Sequence, residues 1–412
     1  WGGRFPTAAD LDRVTPDHPV RLSAKSGHAA WVNSRALALA GVTAATPDPA
    51  GGALVRDARG QPTGVLLEEA MRLVDAHIPP PNLEGVLAGM RAALAVVARA
   101  GLTSLHDMDG PLAFQAEQIL RERDELTVRI VKSIPLAHLD EAIGLGLRTG
   151  LGDDWLRIGQ VKMFADGALG PRTAWMLEGY ASAPEDTGIA TTPVEVLRAS
   201  VRRANAAGLG CAIHAIGDRA CREVLDLYAD ARGAHPGPRN RIEHAQILHP
   251  DDTPRFGALG VIASMQPIHC TSDMHISDRH LGPRAAGAYA FRTLLATGAT
   301  LAFGSDAPVE PVQPLIGIHA AVTRRRADGS PGWAGWHPEH RLSVSEALRG
   351  YTLGAAHAAG LEDRLGALAP GKLADVTILD GDLFEVASTD ILTLQVLGTL
   401  VGGRWAWRDS AL

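Results

Sequence analysis

The chain has 412 residues, 46% of them hydrophobic and 21% charged, with a formal net charge of −7. That length exceeds one small core and suits either a large α/β barrel with additions or two to three ordinary domains, and the balance excludes a disordered chain. Beyond the short "TRRRADG" at 323–329 there is no Lys/Arg block, and no apolar run reaches spanning length, so neither nucleic acid nor a membrane is expected as a partner.

The chain opens "WGGRFPTAADLDRV", without an initiator Met or a signal-peptide pattern, and reads as the interior of a longer protein. Residues 1–80 are rich in Gly, Pro and Ala, with one helix predicted at 31–41 ("WVNSRALALAG"), and read as an insertion or cap. From residue 81 a rhythm sets in: a helical pattern, a Gly-containing turn, a short β-rich run, then polar residues. Helix 83–101 precedes a strand at 102–109, and the helix "AFQAEQILRERDE" precedes a strand at 126–135. The same alternation predicts strands at 156–166, 209–218, 239–246, 261–269 and 299–306, each behind its own helix. A continuous helix is expected over 343–360. The tail changes character, with strands at 374–380 and 397–407 in a small β appendage spanning 366–412. Three cysteines without CxxC spacing (Cys211, Cys221, Cys270) leave one unpaired, which points to a reducing, cytoplasmic location.

Seven apolar strands alternating with helices imply a parallel sheet covered by helices. Seven is one short of a (β/α)8 TIM-type barrel, here assigned to 81–365. A doubly wound sheet is the other candidate, but no GxGxxG follows any strand. Polar residues favour the barrel, because His106-Asp107, Lys162, His214, His244, His269 and Asp306 stand at strand ends that a barrel would bring to one face.

Neutral imidazoles with a carboxylate around an open position suit Zn²⁺ or a related divalent ion. A lone strand-end His is more often a hydrogen-bonded structural residue, and it is the set that argues for a metal. Lys162, inside the apolar run of "IGQVKMFADGALG", is the odd member. Burial lowers an ammonium's pKa, and a neutral amine could form a Schiff base or take up CO₂ as a carbamate. A salt bridge to Asp166 or a neighbouring carboxylate is the plain alternative, and composition does not choose among the three.

The segments "VKMFADGALGPRTA", "HAIGDRA", "RIEHAQ", "MQPIHCTSD" and "GSDAPVEP", in this order, resemble the amidohydrolase superfamily, and with "SGHAAWVNSRALALAG", "GQPTGVLLEEA" and "GKLADVTILDGD" its YtcJ-like branch, which includes N-substituted formamide deformylases. The resemblance covers essentially the whole chain. It implies a barrel with a small β-sandwich built from both chain ends. It also implies one or two divalent ions held by Lys162 (carboxylated in many members), His214, His244 and Asp306. In that scheme Asp306 takes a proton from the attacking water and passes it to the leaving nitrogen.

One departure stands out. The family's first strand carries an HxH pair, and no HxH occurs in this sequence. The expectation is that this strand, with half the sandwich, lies upstream of Trp1; the alternative is a degenerate homologue that binds metal poorly. Weaker candidates for substrate contact are His269, Arg172, His28 and Trp31, with Trp175 and Met176 as pocket walls; core packing is the default for Trp31 and an ion pair for Arg172. Asp166 and Asp218 read as supporting or loop-capping residues, and Glu310 as shaping its turn. The expected activity is hydrolysis of a non-peptide C–N bond in a small-molecule substrate. Ester, lactone or carbamate hydrolysis, Schiff-base chemistry and a metal-free binding protein compete with it. The sequence leaves assembly open, a homodimer included.

Overall fold

The computed structural model describes residues 4–232 and 237–412; the "WGG" start and His235 lie outside them. At its centre is one parallel sheet of seven strands in chain order: β5 (Ser104–Asp107), β6 (Arg129–Pro135), β7 (Leu156–Phe164), β8 (Cys211–Ala215), β9 (Arg241–His244), β10 (Ile262–Met265) and β11 (Leu301–Phe303). These labels follow the strands of an N-terminal sheet, β1 (Arg21–Ser23), β2 (Ala29–Val32), β3 (Gly52–Arg56) and β4 (Pro62–Glu68).

The sheet is strongly curled. A flat sheet would hold strands four places apart at roughly 19 Å, yet His106 on β5 and Arg241 on β9 meet side chain to side chain at 2.6 Å. The wall is that of a TIM-type barrel, with its two edges at β5 and β11 among the described residues. Every residue of β8 is buried, as a strand covered on both faces requires. Each βα unit is punctuated locally: helix Val194–Ala206 ends at Gly208, whose φ of +80° an L-residue rarely adopts, and β8 begins three residues later.

Four expectations change. Residues 1–80 hold a four-stranded antiparallel sheet, order β1-β2-β4-β3, rather than a single helix. β4 is buried along its last five residues, so it lacks the polar–apolar alternation that marks a half-exposed strand. The segment read as helix 31–41 is strand to Val32; Asn33 then caps a shorter helix, Ser34–Leu39, its Oδ1 accepting the Ala36 N–H at 3.0 Å. The helix expected over 343–360 is interrupted by a π-turn at Gly350–Gly354. A Cβ on Gly350 would fall 2.4 Å from the Phe303 ring, and one on Gly354 would fall 1.9 Å from the Leu301 carbonyl oxygen, so both glycines admit β11. Finally, β10 stops at Met265, and Pro267 opens a helix (Pro267–Leu281) that carries His269 in its first turn.

The tail forms a three-stranded antiparallel sheet, β12 (Val376–Leu379), β13 (Val396–Val401) and β14 (Arg404–Arg408), which is the sandwich appendage. It is pinned to the barrel by Arg129 of β6, which makes two 2.7 Å hydrogen bonds to the buried Asp375 carboxylate and stacks on Trp155.

Candidate active site

The C-terminal ends of β7 to β11 gather Lys162, His214, His244, His269 and Asp306. His214 and His244 rings lie 4.5 Å apart, and His244 and His269 rings 5.9 Å apart, centre to centre. His244, His269 and Asp306 each offer a ligand atom, and these atoms all lie within 4.8 Å of one another. His244 and Asp306 have φ of +74° and +59°. Left-handed backbone at bulky residues costs free energy and gathers where a fold holds side chains for chemistry.

His214 and His244 are each oriented by a hydrogen bond. His214 Nε2 lies 2.9 Å from the Gly167 carbonyl, and since a carbonyl only accepts, Nε2 carries the proton and Nδ1 keeps a free lone pair. His244 Nδ1 donates to Gln266 Oε1 at 2.9 Å, freeing Nε2. Burial pushes both imidazoles down, His214 well below its ordinary value and His244 to about 3, with neighbouring charge adding to it. Both are therefore neutral at physiological pH. His269 Nε2 stands 3.5 Å from Asp306 Oδ2 and is buried with no hydrogen-bond partner among the described residues. Imidazole nitrogens and a carboxylate gathered in this way are donors that fit a divalent ion chemically.

Lys162 lies over the Phe164 ring, Nζ 4.4 Å from its centre. Among the described residues it makes no ion pair. Its pKa is lowered by burial, against the opposing pull of Glu243 and Asp306. The salt bridge to Asp166 is not formed. Asp166 instead accepts the backbone N–H groups of Trp175, Ile216 and Gly217 at 2.7–3.0 Å, tying the loops after β7 and β8 together. Asp306 is shifted upward by burial, although His269 and Lys162 oppose the shift.

The N-terminal sheet closes over this mouth. His28, just before β2, places its ring 4.9 Å from that of His214, and its Nδ1 lies 2.8 Å from Glu68 Oε2 at the end of β4. Lys25 reaches Glu310 at 3.1 Å, joining the same sheet to the loop after β11. The other candidates lie elsewhere. Arg172 pairs with Asp186 at 3.1 Å across two loops. Trp31 donates its indole N–H to the Thr7 carbonyl at 2.8 Å within the cap. Met176 is wholly buried in the main core, and Trp175 lies under Arg219. Glu68, Gln266 and Thr173 went unnoticed in the sequence. Only Glu68 left a trace there, as an acid closing an apolar run.

The amidohydrolase family pattern matches residues 2–406. The chain belongs to the amidohydrolase family. YtcJ of Bacillus subtilis (strain 168) is 34% identical to this amidohydrolase, across 98% of its chain and 77% of YtcJ. The N-substituted formamide deformylase of Arthrobacter pascens is 29% identical, across 97% of this chain and 75% of that protein. The crystal structure of an uncharacterized metal-dependent hydrolase from Pyrococcus horikoshii OT3 matches the amidohydrolase with a TM-score of 0.76 at 29% identity, covering 94% of this chain and 76% of its own. Family and neighbours alike make it a hydrolase. No helix among the described residues is long and apolar enough to cross a membrane.

Proposed function

We propose that this amidohydrolase is a metal-dependent hydrolase of non-peptide C–N bonds in small molecules, such as N-substituted amides, formamides or cyclic amides. The convergence of His244, His269 and Asp306, with an orphaned buried Nε2 on His269, carries the reading. Likeness to a formamide deformylase supports the choice of bond. His214, His244 and Asp306 would hold the ion, with His269 beside them and Lys162 as a further arm, its amine without an ion pair among the described residues, its pKa lowered by burial, and able to take up CO₂ as a carbamate. A bound Zn²⁺ or similar ion supplies Lewis acidity at a carbonyl and lowers the pKa of water. Asp306, its basicity raised by burial, holds and returns the proton that passes from nucleophile to leaving nitrogen. Gly167 and Gln266 keep His214 and His244 in the tautomers that leave lone pairs for the ion. A cytoplasmic location and pairing into a homodimer belong to the same proposal.

Metal content decides the ligand set. Lys162→Ala and His244→Ala are each expected to lose bound metal, measured by inductively coupled plasma mass spectrometry, together with hydrolysis of N-formyl and N-acyl amines. Short carboxylic acids should partly restore metal to Lys162→Ala. Full metal occupancy in both variants would exclude the assignment.

A further inference from the structure

The antiparallel cap holds to itself far more firmly than to the barrel. Its two apolar clusters, one gathered on Val32, Leu54 and Leu66 and the other on Val65 and Leu67, draw every member from residues 8–74. The clusters of the barrel and the tail draw none from that range. Among the described residues, two side-chain hydrogen bonds cross the seam. Thr173 Oγ1, in the loop after β7, donates to Glu68 Oε1 at the end of β4. Lys25 Nζ donates to Glu310 Oε2, in the loop after β11, at 3.1 Å. A polar interface of this kind leaves two bodies free to move against each other.

β7 and β11 stand four places apart in the curled sheet, so the two contacts fall on opposite sides of the mouth and the cap spans it. With the cap seated, Lys162 and His214 are buried, and the seam is where a substrate would enter. Behind the cap, the chain returns to the barrel helix Leu83–Arg99 through residues 76–82, all of them exposed, with Pro79, Pro80 and Pro81 in succession. Prolines have no N–H with which to tie the linker down. A proline run is also a semi-rigid spacer, so the cap pivots at its ends as one body. Lys25 is 65% exposed and Glu310 only 7%. An ion pair with one partner in water is weak and screened by salt, so it holds the cap without fixing it.

We propose that the cap is a lid over the metal site, pivoting on the 76–82 linker, and that the Lys25–Glu310 ion pair is its latch. The inference rests on the metal-dependent hydrolase reading above and adds a conformational step to it. The latch opens to admit the substrate, closes to shield the reaction from bulk water, and opens again to let the amine and the acid leave. Closure and opening of this kind can set the turnover rate.

Locking the lid tests it. A Lys and a Glu that meet at their tips hold their Cα atoms too far apart for a direct disulfide. In the double variant Lys25→Cys/Glu310→Cys, a short bis(methanethiosulfonate) linker therefore joins the two thiols. The control is the same variant capped with methyl methanethiosulfonate. The three native cysteines are buried, and intact mass confirms the single linkage. Loaded with zinc, the linked form is expected to surrender the metal to dipicolinate about tenfold more slowly than the capped form, and to turn over N-butylformamide about tenfold more slowly. A phosphine reductant should restore both rates. Lys25→Ala is expected to release zinc about threefold faster than the parent, and to lose the acceleration that added salt gives the parent. Equal zinc release in the linked and capped forms would overturn the lid, and so would equal turnover in a protein that cleaves the probe. An unchanged Lys25→Ala would overturn the latch. Slowed zinc release in a protein that cleaves no N-formyl amine would keep the lid and remove the C–N reading. A protein that takes up no zinc would remove the metal site, and this inference with it.

Discussion

Glu117 offers a test of the polar layer beside the site. It lies on the helix Pro111–Glu122, fully buried, and neither carboxyl oxygen has a hydrogen-bond partner among the described residues. Burial, and then the charge of Asp107, push it up from 4.5 to about 9, while Lys132 pulls the other way. Lys132 is already engaged by the Asp107 carboxylate and the Asp109 carbonyl. The folded-state pKa therefore exceeds the unfolded one. The stability this group contributes is complete below about pH 4.5 and is lost as pH rises toward 9.

At pH 7 the unfolded chain is ionised and the folded chain is not. Folding then takes up a proton at a cost of about 1.4 kcal/mol for each of the 2.5 units between 4.5 and 7, or about 3 kcal/mol. Glu117→Gln is neutral, keeps the shape and removes this cost. The variant is expected to be more stable than the parent by up to about 3 kcal/mol at pH 7, and by more at pH 8.5. Near pH 4.5 the two should be equal. Urea unfolding at the three pH values, compared by midpoint at constant m, measures it. A difference that does not vary with pH, or a variant less stable at pH 8.5, would show that Glu117 is charged in the folded protein and refute the reasoning.

Two further outcomes follow from the packing. Arg129→Ala should cost about 3–5 kcal/mol, because it strands the buried Asp375 carboxylate. The C-terminal sheet should then become sensitive to limited proteolysis at protein concentrations where the parent resists, and unchanged resistance would show that the pair does not anchor it. Gly167→Ala should cost about 1–3 kcal/mol by overpacking and displace Glu68 from Thr173. Activity should therefore fall more than the shift in melting temperature explains, and an active, unshifted variant would contradict the close approach.

The sequence already carried the alternation that makes a barrel wall. A covered parallel strand must be apolar throughout, so β7, β8 and β9 announce themselves, and the polar residues that interrupt them fall at their ends. Lys162, His214, His244 and Asp306 were legible for that reason. The cap was not, because its strands are short and β4 is buried along most of its length, so neither length nor alternation marked it as sheet. His269 was placed on a strand, since an apolar run into Pro looks alike whether it continues or turns into a helix.

Local sequence thus determined which chain segments would line a common mouth, by hydrophobic period and by glycine stops. Only the tertiary structure decided which groups meet there. His28 and Glu68 lie 40 residues apart in sequence, and Thr173 is 105 beyond Glu68. Their hydrogen bonds exist only because the antiparallel cap folds onto the loop after β7. Lys162 illustrates the same division. Its burial could be read from the apolar residues around it, but its partner could not. Asp166, four residues away and the natural guess, points its carboxylate at three backbone N–H groups. The lysine is left facing Glu243 and Asp306, brought to it by the curl of the sheet.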